Sequence, residues 1–170
     1  QKAHGRPPPR PARQGVTEPR PTHLDERGQA RMVGVGHKPA VGRRAVAEAV
    51  VRMAPESARA ISEGALPKGD VAAVARVAGI MAAKRTPELV ALCHPLPIDR
   101  AAVDVAVDAG AGEVRITATV ETTARTGVEM EALTAASVAA LNVYDLVKGI
   151  DPAITIDGLR LVEKTKAEPR

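Results

Sequence analysis

The sequence predicts an α+β fold, a ferredoxin-like sandwich with an antiparallel sheet and helices on one face. Three observations lead there. Two runs in which apolar and polar residues alternate, Ala102 to Asp108 and Val114 to Glu121, flank the glycine-containing turn Ala109-Gly110-Ala111-Gly112, the pattern of an antiparallel hairpin. One long alanine-rich helix follows, within Glu121 to Gly149, and a last strand-like segment comes after it. With a strand and helical segments ahead of the hairpin, the order is β, two or three helices, β, β, α, β, which is a split βαβ plan.

Residues 1–21 come first, QKAHGRPPPRPARQGVTEPRP, with little apolar periodicity and many prolines, and are expected to be a disordered tail. The folded domain is expected over 22–164, with a short C-terminal tail over 165–170. Arg27-Gly28 reads as a turn, and Arg31 to Val35 as a short strand weakened by Gly34. A helix is expected over Arg43 to Met53, because Val46, Ala49, Val50 and Met53 fall at helical spacing. Pro55 suits the first turn of a second helix that runs to Gly64. Asp70 is placed as N-cap of a helix over Val71 to Ala83, and Lys68 stands just before it. The unpaired N–H groups of such a start attract anions, although a solvated lysine before a capped helix is the commoner arrangement.

Thr86-Pro87 begins a helical turn through Glu88 to Val90. Leu92-Cys93-His94-Pro95 should be a loop, since Pro95 and Pro97 limit both regular structures. In the hairpin, Val103, Val105 and Val107 share one face, as do Val114, Ile116, Ala118 and Val120. The last strand has Ile154 and Ile156 in one phase and Leu159 and Leu161 in the other. The phase changes at Asp157-Gly158, where a bulge is expected.

Composition narrows the function. The chain has no Phe, no Trp and one Tyr, so small aliphatic side chains must form the core, and self-association is the expected supplement. Lys2, Arg6, Arg10, Arg13 and Arg20 against Glu18 account for the whole formal charge of +4, leaving residues 22–170 neutral in sum. That balance, with no aromatic residue on the outward sheet positions, argues against nucleic acid as a partner. No apolar run approaches the ~20 residues of a membrane span, so no membrane is expected. The single cysteine fits a reducing compartment, and the protein is expected to be cytoplasmic. Cys93 and His94 are adjacent, but no further ligands stand at usable spacing, so no metal and no cofactor are expected.

The long helix carries the most chemistry. Glu131, Thr134, Ser137, Asn142, Asp145 and Lys148 form a polar stripe opposite Ala132, Ala135, Ala136, Ala139, Ala140, Val143, Leu146 and Val147. Asp145 and Lys148 are an i,i+3 pair, either an ordinary solvated ion pair or an acid and base flanking a bound molecule. Helical periodicity alone leaves both open. Thr126-x-x-Glu129 fits a capping box, so Glu129 serves as a cap, a ligand contact or both.

Three ordered blocks resemble one family: TGVEMEALTAASVAAL with VYDLVK, LPKGD with ARVAGIMAAKRTPEL, and LCHPLP. They are similar to the cyclic pyranopterin monophosphate synthases, the C protein of molybdenum cofactor biosynthesis, over roughly Thr22 to Lys164. The resemblance implies a lyase that converts a 3′,8-cyclised dihydroguanosine triphosphate to cyclic pyranopterin monophosphate and diphosphate. It implies Asp145, Lys148 and Lys68 as catalytic residues. It also implies substrate contacts from Leu92, Cys93, His94, Glu129, Met130, Lys38, Arg43 and Lys164, and a homohexamer built of dimers with sites at subunit boundaries. Against the family pattern, Gly34 stands where an aspartate is usual, Asn142 replaces a threonine, and a Gly-Gly after Lys164 is missing. These departures define the competing reading, a homologue that binds a nucleotide or a pathway partner without turnover.

Overall fold

The computed structural model describes residues 23–25, 27–67 and 69–168. The expected tail over 1–21 and the candidate Lys68 lie outside the described residues. The chain divides into residues 1–31 and 32–170. In the first unit, Asp25 Oδ1 accepts the N–H groups of Arg27 and Gln29 at 2.8 and 2.9 Å, and Gly28 takes φ +75°, forming the predicted turn.

The second unit runs β1 (Val41–Arg52), α1 (Pro55–Ser62), α2 (Val71–Lys84), α3 (Thr86–Leu89), β2 (Arg100–Asp108), β3 (Glu113–Ala124), α4 (Glu129–Val147) and β4 (Thr155–Lys166). One four-stranded sheet has the order β2-β3-β1-β4, antiparallel at every pairing. This is the expected α+β, ferredoxin-like arrangement. The predicted hairpin is β2–β3, with Val103 opposite Ala118 and Val105 opposite Ile116. The predicted bulge is present: Asp157 pairs with Val50 and Arg160 with Glu48, so Gly158 and Leu159 oppose Ala49 alone, and Gly158 takes φ +61°. β4 continues through Lys166, two residues into the segment expected to be a tail.

Two expectations fail. Residues 32–35 form no strand, and the helix expected over Arg43 to Met53 is instead the central strand β1. Ala45, Ala47, Ala49 and Val51 face the helices, while Val46 and Val50 are buried on the other side. A strand buried on both faces reads as an apolar run, and helix and strand spacing both fit its alanines and valines. Sheet pairing on both edges overrides alanine's helix preference.

The core is made of close approaches rather than large side chains. A Cβ on Gly79 of α2 would stand 2.9 Å from Ala135 O and 3.2 Å from Ala139 Cβ, so the two helices meet with only a hydrogen at that crossing. Ala132, Ala135, Ala136, Ala139, Ala140, Val143 and Val147 form the buried face of α4. By length and composition α4 is apolar enough to cross a membrane, yet this face is fully buried in the sandwich, so α4 is the core helix. Tyr144, the chain's single aromatic residue, packs half-buried against that core.

Past the end of α4, Asp151 is buried and reaches across to α1. Its Oδ2 accepts Ala54 N–H at 2.7 Å and its Oδ1 accepts Ala153 N–H at 3.1 Å. Ala54 is the N-cap of α1 and has no capping side chain of its own, so Asp151 caps that helix from elsewhere in the chain. These backbone bonds, with a hydrogen bond from Ser57, hold the Asp151 carboxyl below the usual carboxylate range.

Candidate active site

α4 distributes the candidate residues between its two ends. At 1.5 Å per residue, Glu129 at its start and Asp145 near its close are separated by roughly 24 Å along the axis.

At the C-terminal end, Lys148 Nζ lies 2.6 Å from Asp145 Oδ1, with both side chains more than half exposed. The carboxylate holds the Lys148 ammonium above its ordinary pKa, first through their hydrogen bond and then through charge. The two make an i,i+3 ion pair on the helix surface. Two members of the polar stripe behind it turn back onto their own helix. Ser137 Oγ donates to Leu133 O at 2.8 Å and Asn142 Nδ2 donates to Val138 O at 2.9 Å.

At the N-terminal end the predicted capping box is absent. Val128 is the N-cap, and no side chain caps the helix. Glu129 turns instead toward β4, where Lys164 Nζ stands 3.3 Å from its Oε1. The same carboxylate folds over Gly127, at which a Cβ would sit 1.8 Å from Glu129 Oε2. Arg43 of β1 donates from Nε to Ala124 O at 3.4 Å and from Nη2 to Arg125 O at 3.2 Å. A cleft of about 230 Å³ opens between Arg43, Glu129 and Lys164, with Arg44 and Lys166 on its walls. Arg44 is engaged with Glu163 and, at 3.5 Å, with Glu121. Arg43, bonded to backbone carbonyls, and Lys166 suit an anionic group, while Lys164 is paired with Glu129.

Beside this end lies the loop with the other candidates. Leu92 takes φ +63°, and among the described residues it alone is a non-glycine at positive φ. Cys93 N–H donates to Val90 O at 3.2 Å, closing a turn that carries the half-buried His94. Met130 is exposed on the first turn of α4. Lys38 belongs to a separate turn in which its N–H donates to Val35 O at 3.0 Å, and its residue is exposed. Thus Arg43, Glu129 and Lys164 border one cleft, and Cys93 reaches the first turn of α4, while Asp145 and Lys148 stand apart at the far end.

Glu131 is the residue the sequence reading placed wrongly. Set on the polar stripe, it is 2% exposed, with Oε1 3.9 Å from Cys93 Sγ and Oε2 without a hydrogen-bond partner. Burial pushes its carboxyl above the ordinary range and does the same to the Cys93 thiol, Glu131 adding to the latter shift. One signal was available. Glu129 and Glu131 are about 200° apart on a helix, so both cannot face outward from a helix packed on its other side. Among the described residues no group of three or more His, Cys, Asp or Glu side chains is placed to hold a metal ion.

Comparison with known proteins agrees with the blocks singled out in the sequence. The sequence model of the MoaC family matches residues 32–167. A protein of Thermomicrobium roseum named cyclic pyranopterin monophosphate synthase is 59% identical over 143 residues, 84% of this chain and 86% of its own length. Proteins of the same name from a Roseiflexus species and from Pelobacter propionicus are each 56% identical. They align over 85% and 84% of this chain and over 91% and 89% of their own lengths.

Proposed function

The chain belongs to the MoaC family, and we propose that it works as a cyclic pyranopterin monophosphate synthase, a lyase that converts (8S)-3′,8-cyclo-7,8-dihydroguanosine 5′-triphosphate to cyclic pyranopterin monophosphate with release of diphosphate. The observation that carries the activity is 59% identity, over 84% of the chain, to a protein of that name.

The reaction opens a ring, moves protons and expels an anion without redox change, so it needs cations for the phosphates and an acid and a base close together. Asp145 and Lys148 fill the second requirement. They form an ion pair, and substrate entering between them leaves the carboxylate to take a proton and the ammonium to give one. Lys68, before the capped start of α2, is the third catalytic group in this reading. Arg43, Lys164 and Lys38 serve the phosphates, and Leu92, Cys93, His94, Glu129 and Met130 contact the remainder of the substrate.

The separation along α4 supports a shared site. One nucleotide does not bridge two ends roughly 24 Å apart, so the N-terminal group of one copy meets the C-terminal pair of another. A homohexamer built of dimers, in the cytoplasm, is the assembly proposed. The exposed Leu141, Leu159 and Val162 support burial between copies. Light scattering that finds a monomer at micromolar concentration refutes this part.

For the activity, the purified protein is given the cyclised nucleotide while diphosphate and pterin product are followed. Asp145→Ala and Lys68→Ala should keep the circular dichroism of the parent and lose turnover. Binding without diphosphate release would favour the non-catalytic homologue instead.

A further inference from the structure

We propose that Glu131 is a positioning residue, a buried carboxyl that pins the Leu92–His94 turn through the Cys93 thiol and so fixes where His94 is presented. The proposal rests on the reading above, in which this turn meets substrate.

Two independent observations meet at this place. The first is a backbone held where leucine does not choose to be. Leu92 at φ +63° crowds its own Cβ against the neighbouring carbonyl, a conformation that persists only when the surroundings impose it. Its side chain is 37% exposed and gives little packing to hold it there. The second is a buried carboxyl whose only side-chain partner among the described residues is sulfur, the rest of its satisfaction coming from its own backbone N–H. Glu131 is 2% exposed, its Oε2 has no partner, and its Oε1 lies 3.9 Å from Cys93 Sγ. Burial disfavours the charged form of this carboxyl, and the nearby carboxylate of Glu129 disfavours it further.

The geometry then assigns the work. The single S–H of Cys93 is directed between Glu131 Oε1 and the carbonyl of His94, 3.8 Å away. At the far end of the loop, Thr122 Oγ1 donates to Pro97 O. With the backbone bond from Cys93 N–H to Val90 O, these contacts fix the segment on both sides of His94. Remove the carboxyl and the turn loses its inward anchor, so Leu92 is free to relax to negative φ and swing His94 away.

The test compares Glu131→Ala with Glu131→Gln, which keeps an acceptor of the same shape without the acid. For Glu131→Ala, kcat should fall about 100-fold, the effect of misplacing a contacting group by about an ångström, while KM stays within about threefold. Alkylation of Cys93 by iodoacetamide should become at least about tenfold faster as the turn opens. Glu131→Gln should restore slow alkylation and most of kcat. Equal alkylation rates in all three proteins, or a Gln variant as impaired as the Ala variant, would overturn the proposal. If Glu131→Ala does not fold, Cys93→Ala removes the sulfur alone and should lose kcat at an unchanged melting temperature, and unchanged kcat there refutes the pin. A parent protein that releases no diphosphate sinks the substrate reading, while the alkylation rates still decide whether Glu131 anchors the turn.

Discussion

Replacing Gly127 by alanine tests the cleft at the start of α4 without substituting a charged residue. A Cβ there would stand 1.8 Å from Glu129 Oε2 and 2.7 Å from its Cδ, a separation that no pair of atoms tolerates. The yielding partner is the end of a flexible side chain, so the carboxylate swings away and the contact with Lys164, 3.3 Å in the native protein, is broken. The stability change should be small. An exposed ion pair contributes about 0–1 kcal/mol, and the loss is offset by the roughly 0.4–1 kcal/mol that alanine gains over glycine through the unfolded chain. The functional change should be larger. A hydrogen bond to a charged group is worth about 1.5–3 kcal/mol, which corresponds to a loss of roughly 10- to 150-fold in kcat/KM if Glu129 and Lys164 must stand as they do for substrate. Thermal melting and diphosphate release on the same preparation separate the two quantities. A variant that melts with the parent and keeps its kcat/KM would refute the assignment of this carboxylate to the site.

The other predictions concern what holds the site in place. Asp151→Ala removes the acceptor for Ala54 N–H and Ala153 N–H, and should cost about 2 kcal/mol in urea unfolding, a lost cap plus a second unpaired donor. Because the folded-state pKa of Asp151 is depressed, its contribution is complete above the unfolded carboxylate value and is lost as pH falls through the folded one. Parent and variant should therefore converge in stability in acid and differ at neutral pH, and an equal gap at both would contradict this. Gly79→Val places carbon 2.9 Å from a backbone carbonyl in α4, and should destabilise the chain by about 1–3 kcal/mol by overpacking. An unchanged melting temperature would show that the α2–α4 crossing is loose. Gly34→Asp restores the carboxylate usual in the family at a position where a Cβ meets nothing within 4 Å. Its stability should stay within about 0.5 kcal/mol of the parent, and a larger loss would show that the position is constrained after all.

Much of the fold could be read from residue order because its hairpin and long helix have clean, different periods. Val103, Val105 and Val107 alternate without ambiguity, and the phase change at Asp157-Gly158 identified a bulge before any pairing partner was known. β1 resisted because its burial on both faces erases the alternation that marks a strand. Only its neighbours, β3 and β4, decide what Ala45 to Val51 become. The site divides in the same way. Asp145 and Lys148 meet through local helix geometry, so their contact was accessible from spacing. Glu129 reaches Lys164 across 35 positions, and Glu131 is covered by a loop 38 positions upstream, relations that a helical wheel does not contain.

Tyr144 offers a further use of this architecture. With no tryptophan or phenylalanine in the chain, this one phenol is the source of its aromatic near-ultraviolet signal, and it sits next to Asp145, its carbonyl accepting Lys148 N–H at 2.9 Å. Difference absorbance near the tyrosine band therefore reports events at the closing turn of α4 from an unlabelled sample. A titration that perturbs this intrinsic probe would locate the ligand beside the Asp145–Lys148 couple before any variant is made.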